Sequence, residues 1–349
     1  MGDARMNRYS YSDPVPQEKV PNMREAEAQR LHVVRPVEVP SIERLAAQAE
    51  AFAALDRRTP AAGYHEVLAA VHAICAAIVE CEAAGYERGE IVAVLADVRA
   101  IHARSPFVRR LQSWPRGYPG DFETVRYIMA AENLAAPGTI EHQCERYALD
   151  RSIAQQHRNK VQHQAARILK TMFAKPRASR VLSLACGSCP DFERIALHLP
   201  SLAGEIVLND SDGDALAFSR DVLAGVGERV SVIAGNALRV PRRLMRGEGF
   251  DLVLAGGLFD YLPATHAGFL IAEAYKLLAP GGVFYFTNIA EGNPYRPLIE
   301  YFGDWFLIER SEADVRALCR DAGVPDGAVA IRREETALAL LIEVTKTSS

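Results

Sequence analysis

No stretch of this 349-residue chain approaches the roughly 20 consecutive apolar residues that span a bilayer. Residues 1–40 carry scattered charges, recurrent prolines and no apolar core segment, which does not read as a signal peptide. An excess of positive charge is also missing: 40 Lys and Arg face 44 Asp and Glu, a net charge of −4. A phosphate backbone calls for a strongly basic face, so nucleic acid is not the expected main partner. The six cysteines show no framework spacing, so the expected compartment is a reducing cytoplasm. No second pair of ligands completes a zinc site, and no metal is expected. No internal repeat is visible.

The length favours two domains. Residues 1–40, with prolines at 14, 16, 21, 36 and 40, read as a flexible tail. Residues 41–150 read as a helical cap, which would hold the substrate and offer a dimer surface. Three amphipathic helices are expected there: one opened by Ser41, one over about 64–84 and one over about 88–103. Residues 105–120 read as irregular and aromatic, and Asp121 opens another helix. A long polar helix is expected over about 141–175. From Arg180 the pattern changes to short apolar runs alternating with helices: 181–185, 206–208, 230–233, 252–255, 283–287, 329–332 and 338–344. That alternation predicts an α/β fold, a seven-stranded Rossmann-like sheet covered on both faces, with an antiparallel final pair. Residues 151–349 form this second domain, led by the long helix.

Candidate binding residues fall where strands end, which is where open α/β sheets bind ligands. Gly187 follows the first strand, in Ala185-Cys186-Gly187, and lets backbone approach a ligand closely. It is not the three-glycine pyrophosphate fingerprint. Asp210 ends the second strand 23 positions after Gly187, close to the roughly 20-residue interval of a ribose-binding carboxylate. Asp212 is its alternate. Asn236, after the third strand, would pair with an adenine edge, with Ala237 stacked beneath. Gly256 and Leu258, after the fourth, would pass beside the remainder of the cofactor. Asp260 and Tyr261 would look into an acceptor pocket. Cys186-Gly-Ser-Cys189 also offers a redox reading, the lesser one, since no tryptophan precedes it.

In this order the motifs of residues 180–344 resemble class I S-adenosylmethionine-dependent methyltransferases. The acid usual two residues after the leading Val-Leu is Ser183 here. A narrower likeness rests on Gly257–Leu262, Arg116–Asp121, Arg158-Asn159 and Asp304–Arg310. These runs are similar to a bacterial group of extracellular-factor 3-hydroxypalmitate methyl ester biosynthesis proteins. The resemblance implies S-adenosyl-L-methionine as cofactor and S-adenosyl-L-homocysteine as product. It implies Tyr118, Gly120 and Asp121 in a lid, and Arg158 or Tyr127 at the methionine carboxylate, where a guanidinium fork suits both oxygens.

A general base is needed for a phenol, acid or carbon acid. His142, with Glu141 beside it, is the first candidate, and His157 and His163 are others on or beside the same helix. The acceptor pocket is expected to take in Tyr118, Asp121, Asp260, Asn288, Tyr295, Arg296 and Tyr301. The Arg and Tyr content of the cap favours a small aromatic or carboxylate-bearing acceptor. Two other readings remain open: methylation of RNA or protein, and a non-catalytic scaffold that keeps the fold.

Overall fold

Seven short apolar runs form one seven-stranded sheet in the computed structural model. The described residues are 40–347, apart from 59–60, 175–177 and 246–247. The expected tail thus lies outside the described residues, save Pro40. The strands are β1 (Ser179–Leu184), β2 (Gly204–Asp210), β3 (Val230–Ala234), β4 (Phe250–Ala255), β5 (Leu278–Ile289), β6 (Val329–Arg333) and β7 (Ala339–Thr345). Their spatial order is β3-β2-β1-β4-β5-β7-β6. The first five run parallel, and β7 lies antiparallel to both β5 and β6. The final pair is antiparallel as expected, but the later strand slots inside and leaves β6 at the edge. Strand order reverses at β1, which has β2 on one side and β4 on the other. The carboxyl ends of β1 and β4 therefore splay apart into a natural crevice.

Fourteen α-helices among the described residues surround the sheet. Before it come α1 (Ser41–Asp56), α2 (Tyr64–Ala83), α3 (Arg88–Val94), α4 (Ala96–His102), α5 (Pro106–Ser113), α6 (Phe122–Ala130), α7 (Ile140–Asp150) and α8 (Ser152–Ala174). Between and after the strands lie α9 (Pro190–Ile195), α10 (Gly213–Val222), α11 (Val240–Leu244), α12 (Ala264–Leu277), α13 (Arg296–Gly303) and α14 (Glu312–Asp321). Helices α8, α9 and α10 pack on one face of the sheet around Ile168, Phe192 and Leu216. Helices α12 and α14 cover the other around Leu270, Ala274 and Val315. The cap has a core of its own, in which Phe52, Val71, Ile78 and Leu95 meet Tyr301 and Phe302 of α13.

Three segments differ from expectation. The long polar helix breaks at Arg151, whose backbone is extended (φ −73, ψ 157). Its two parts bury different faces: α7 puts Ile140, Cys144 and Tyr147 into the cap, and α8 puts Ala165, Ile168 and Met172 against the sheet. One straight helix would not bury both. The helix expected over 88–103 divides at Leu95 into α3 and α4. The segment 105–120 begins with a helix, α5, because Ser105 accepts from Val108 N and Pro106 occupies its first turn.

Where the cap approaches the sheet domain, a buried carboxylate gathers the cap's own segments. Glu145 on α7 is fully buried. It accepts from Ser105 Oγ at 2.7 Å, Phe107 N at 3.2 Å, Leu134 N at 2.7 Å and Tyr127 Oη at 2.6 Å. Arg158 on α8 donates to the carbonyls of Ile128 and Leu149, both at 3.1 Å, and so clips α6 and α7 to the long helix. Removing the acceptor would take a partner from four donors, of which Ser105 Oγ and Phe107 N are buried and cost about 1 kcal/mol or more each. Glu145→Ala is expected to lower unfolding stability by roughly 3–5 kcal/mol, measured by urea denaturation. A loss below about 1 kcal/mol would show that Glu145 does not organise the junction.

Candidate functional site

The turn after β1 shapes the site first. Ala185 (φ 49) and Gly187 (φ 55) both take the left-handed conformation. An alanine there is disfavoured by about 1–2 kcal/mol, so the surrounding packing must hold it. The payoff is position: Gly187 N donates to Asp210 Oδ2 at 2.8 Å, and Asp212 N donates to Asp210 Oδ1 at 2.9 Å. Burial pushes the Asp210 carboxyl up, and these amides pull the other way. Gly187 and Asp210 thus face one cleft, as the spacing predicted.

That cleft holds about 440 Å³. One end is formed by Ala185, Gly187, Asp210 and Ser211, and Gly256, Leu258 and Asp191 also line it. At Gly256 a Cβ would come within 2.3 Å of the Gln164 side-chain amide, so α8 packs directly on this turn and a larger residue would have to displace that amide. Asp191 is buried at the start of α9, and burial raises its pKa to about 6. Ser188 Oγ is buried beside it without a hydrogen-bond partner. The far end gathers His157 and Lys160 of α8 with Asp260, Tyr261 and Trp305.

A strap, residues 114–120, covers the cleft mouth and supplies Tyr118 and Gly120 to its lining. Three of its residues are left-handed: Trp114, Gly117 and Gly120. A Cβ on Gly120 would lie 2.2 Å from Tyr261 Oη and 2.9 Å from the Trp305 ring, so the strap rests directly on that pair. Its other anchor is Arg116, which grips Asp212 with two 2.7 Å bonds and Asp214 with a third. Tyr118 Oη adds a 3.3 Å bond to Asp212.

Of the expected cofactor residues, Ala185, Gly187, Asp210, Gly256 and Leu258 line the cleft. Asp212 does not: it caps α10 and holds the strap. Asn236 accepts from Leu238 N in a local turn, and Ala237 is packed in the sheet core. Arg158 and Tyr127 are turned into the cap junction, their polar atoms engaged by carbonyls, Gln155 and Glu145. Neither is placed to meet a methionine carboxylate.

The expected acceptor residues divide in the same way. Tyr118, Asp260 and Tyr261 line the cleft. Asp121 is buried as the cap of α6, bound to Arg110. Asn288 is buried between the Ile289 and Ile308 carbonyls and Arg310. Arg296 and Tyr301 both bind Glu82 and so join α13 to α2. Tyr295 packs on the cap core. The arginines and tyrosines that suggested a carboxylate pocket are therefore spent on the cap itself.

The base candidates also change. His142 bonds to the Ala135 carbonyl at 3.0 Å and Glu141 pairs with Arg104 at 3.2 Å, both away from the cleft. His163 binds Glu335 across α8. His157 alone of these histidines lines the cleft, stacked on Trp305 with centroids 5.4 Å apart. Burial, with Lys160 and Arg158, drives its pKa well below the ordinary value, so it is neutral. Lys160, Gln164 and Asp191 were not singled out from the sequence. Their signal was available: His157, Lys160, Val161 and Gln164 follow i, i+3, i+4, i+7 spacing and form one helix face. The redox reading fails, since Cys189 is buried with its thiol raised to about 12 and Cys186 is also raised by burial.

Residues 181–282 match the family model described as a methyltransferase domain. The match covers the switch point, Gly187, Asp210 and the β4 turn. No curated protein matches the chain. Among solved structures, a possible exported protein of Bordetella parapertussis is 15% identical, with a TM-score of 0.52. The match spans 88% of this chain and 96% of that one, so the shared fold extends into the helical cap. Magnesium protoporphyrin IX methyltransferase of Synechocystis PCC 6803, bound to S-adenosylhomocysteine, is 12% identical over 68% of this chain and 97% of its own (TM-score 0.46). The N-methyltransferase NodS of Bradyrhizobium japonicum, with the same ligand, is 17% identical over 54% and 87% (TM-score 0.39).

The strap yields a test. Arg116→Ala removes its anchor but touches no cleft wall. Affinity for S-adenosylhomocysteine should fall by about tenfold, 1.4 kcal/mol, in isothermal titration, with the thermal midpoint little changed. An unaltered affinity would show that the strap does not close on a ligand.

Proposed function

We propose that this chain is an S-adenosylmethionine-dependent methyltransferase that acts on a small molecule. The observation that carries this reading is the shared cleft of Gly187 and Asp210 at the switch point of a methyltransferase-type sheet. The cofactor is an amphipathic cation with a nucleoside at one end. Asp210 keeps lone pairs for ribose hydroxyls after its two amide bonds. Ser188 Oγ and the Asp191 carboxylate suit a ligand ammonium, and Gly256 and Leu258 line the cleft between them and the far end. When bound, the sulfonium supplies an already activated methyl group. The protein's task is to align the acceptor and exclude water, which strap and cap are built to do.

The acceptor enters from the cap side, where the wall is apolar and aromatic around Trp305, Tyr261 and Tyr118. A narrow cleft under a strap favours a small molecule over RNA or a protein segment. The chain's negative net charge points the same way. The scaffold reading has no particular support, since the cleft keeps buried titratable groups at its far end. Six free cysteines support a reducing compartment. No helix among the described residues is long and apolar enough to cross a membrane. The dimer surface remains a proposal that ultracentrifugation would decide.

Asp210→Ala should weaken S-adenosylhomocysteine binding by about 1–3 kcal/mol in calorimetry. Retained affinity would remove the reading. Asp191 gives a pH signature. Its apo carboxyl titrates at about 6, and an ammonium bound beside it favours the ionised form. Binding is therefore full above that pH and weakens as pH falls through it, and Asp191→Asn should flatten the profile. A wild-type affinity constant from pH 5 to 8 would place the ammonium elsewhere.

A further inference from the structure

The far end of the cleft holds two groups that cofactor binding does not use. Lys160 has 3% side-chain exposure and one protein acceptor among the described residues, Asp260 Oδ2 at 3.3 Å. An ammonium carries three donors, so two are left without an acceptor among the described residues, on a side chain that lines the cleft. Asp260 is otherwise held: its Oδ1 accepts from Ile289 N at 2.6 Å, and its main-chain carbonyl accepts from Ile308 N at 2.8 Å. One turn back on the same face of α8, His157 makes no hydrogen bond with any described residue, although its ring is fixed flat against Trp305. Trp305 is in turn fixed by its Nε1–H bond to Tyr261 Oη at 2.7 Å. A neutral imidazole and a buried cation with open donors thus face one cleft from adjacent turns of one helix.

We infer that His157 and Lys160 form the acceptor site, and that the acceptor presents an acidic oxygen: a phenol, an enol or a carboxylic acid. The inference rests on the methyltransferase reading. His157 accepts the hydroxyl proton of an un-ionised acceptor, and Lys160 holds the oxygen as its negative charge develops. The oxygen–carbon bond forms as the sulfur–carbon bond breaks, its electron pair staying on sulfur, and the imidazolium releases its proton to water. An amine acceptor fits poorly. It would develop positive charge on the very atom that Lys160 holds, where an oxygen acid develops negative charge.

The imidazole is also faced by Tyr261 and Asp260 from the turn after β4, by Tyr118 from the strap, and by His102 and Tyr147 across the cap cavity it shares with Trp305. A pH profile alone would therefore be ambiguous, and the test uses chemistry instead. Full-length protein is first titrated with S-adenosylhomocysteine. Failure to bind refutes the methyltransferase reading itself. With that ligand bound, 4-nitrophenol is titrated near pH 6 and its ionisation followed by absorbance. Bound 4-nitrophenol is expected as the phenolate. The double variant Lys160→Met/Asp260→Asn, which removes both members of the ion pair and keeps an acceptor for Ile289 N, should abolish that ionisation. A panel of phenols, carboxylic acids and primary amines is then assayed for transfer of labelled methyl. Oxygen acids are expected to react and amines not to. His157→Gln should slow phenols by about 100-fold or more and slow carboxylates, already ionised, far less. Methylation of amines alone, 4-nitrophenol bound only in its neutral form, or an equal effect of His157→Gln on phenols and carboxylates would each overturn the inference.

Discussion

The 2.8 Å bond from Gly187 N to Asp210 joins the tips of two neighbouring parallel strands and sets the position of everything around the cleft. It needs a left-handed turn at Ala185 and Gly187, because an extended chain would carry the amide past the tip of β2. It also needs a buried acid at the end of β2. In turn, the acid receives Asp212 N, which starts α10 and places the Asp212 carboxylate outward, where Arg116 grips it. One amide–carboxylate contact therefore orients the cofactor turn, the first turn of α10 and the anchor of the strap. Burial raises the acid's proton affinity, and two amides restrain that rise. A ligand offering two hydroxyls would complete the same shell.

The cap illustrates how a cluster of charges can be misread. Arg296, Arg158, Arg99 and Arg110 each find a carboxylate or carbonyl inside the protein. Helices that carry arginine into a partly buried junction must satisfy a fork of five donors. Nearby acids and open helix ends do so more cheaply than a passing ligand. Glu82, Asp304 and Asp121 serve this purpose, each far along the sequence from at least one partner or at a helix end. Such cations stabilise the cap and are not available to the cleft. The cation that is available, Lys160, sits on the helix that leads the sheet domain.

What could be read from the sequence follows from the range of the forces involved. Strands, their alternation with helices, Gly187, Asp210 and the β4 turn are local features, determined by apolar runs and by the residue that follows them. The segment 105–120 was readable only as irregular and aromatic, and the lid at Tyr118 and Gly120 came from the resemblance; the left-handed turns at Gly117 and Gly120 are what shape it. The roles of Arg158, Tyr127, Asn288 and Tyr301 were not readable, since each depends on a partner brought in by tertiary packing. Glu82 lies 214 positions from Arg296, and no periodicity connects them. The break at Arg151 belongs to the same class: 141–175 is helical throughout in pattern, and only the presence of two separate cores bends it. His157 lay between. Its residue type suggested a base, but choosing it over His142 required knowing which face of α8 meets the cleft.

Polarity along the cleft then has a simple origin. The end proposed for the nucleoside is made of backbone amides and an acid, because it sits where parallel strands end. The far end is made of side chains from α8 and of the ring pair Trp305–Tyr261, because there the cap closes over the sheet and no strand end is exposed. Asp210 and, farther along, Asp191 make one part of the cleft acidic, and the far end holds the ion pair of Lys160 with Asp260. A positively charged donor is drawn toward the acids and held away from Lys160, while an acceptor that carries or develops negative charge is drawn to the opposite end. On the proposed function the two reactants would meet between these ends, beside the β4 turn against which Gln164 of α8 packs. Orientation of a bimolecular reaction is thus built into the helix that joins the two cores, and a substitution that rotated α8 would disturb alignment without removing any group from the cleft.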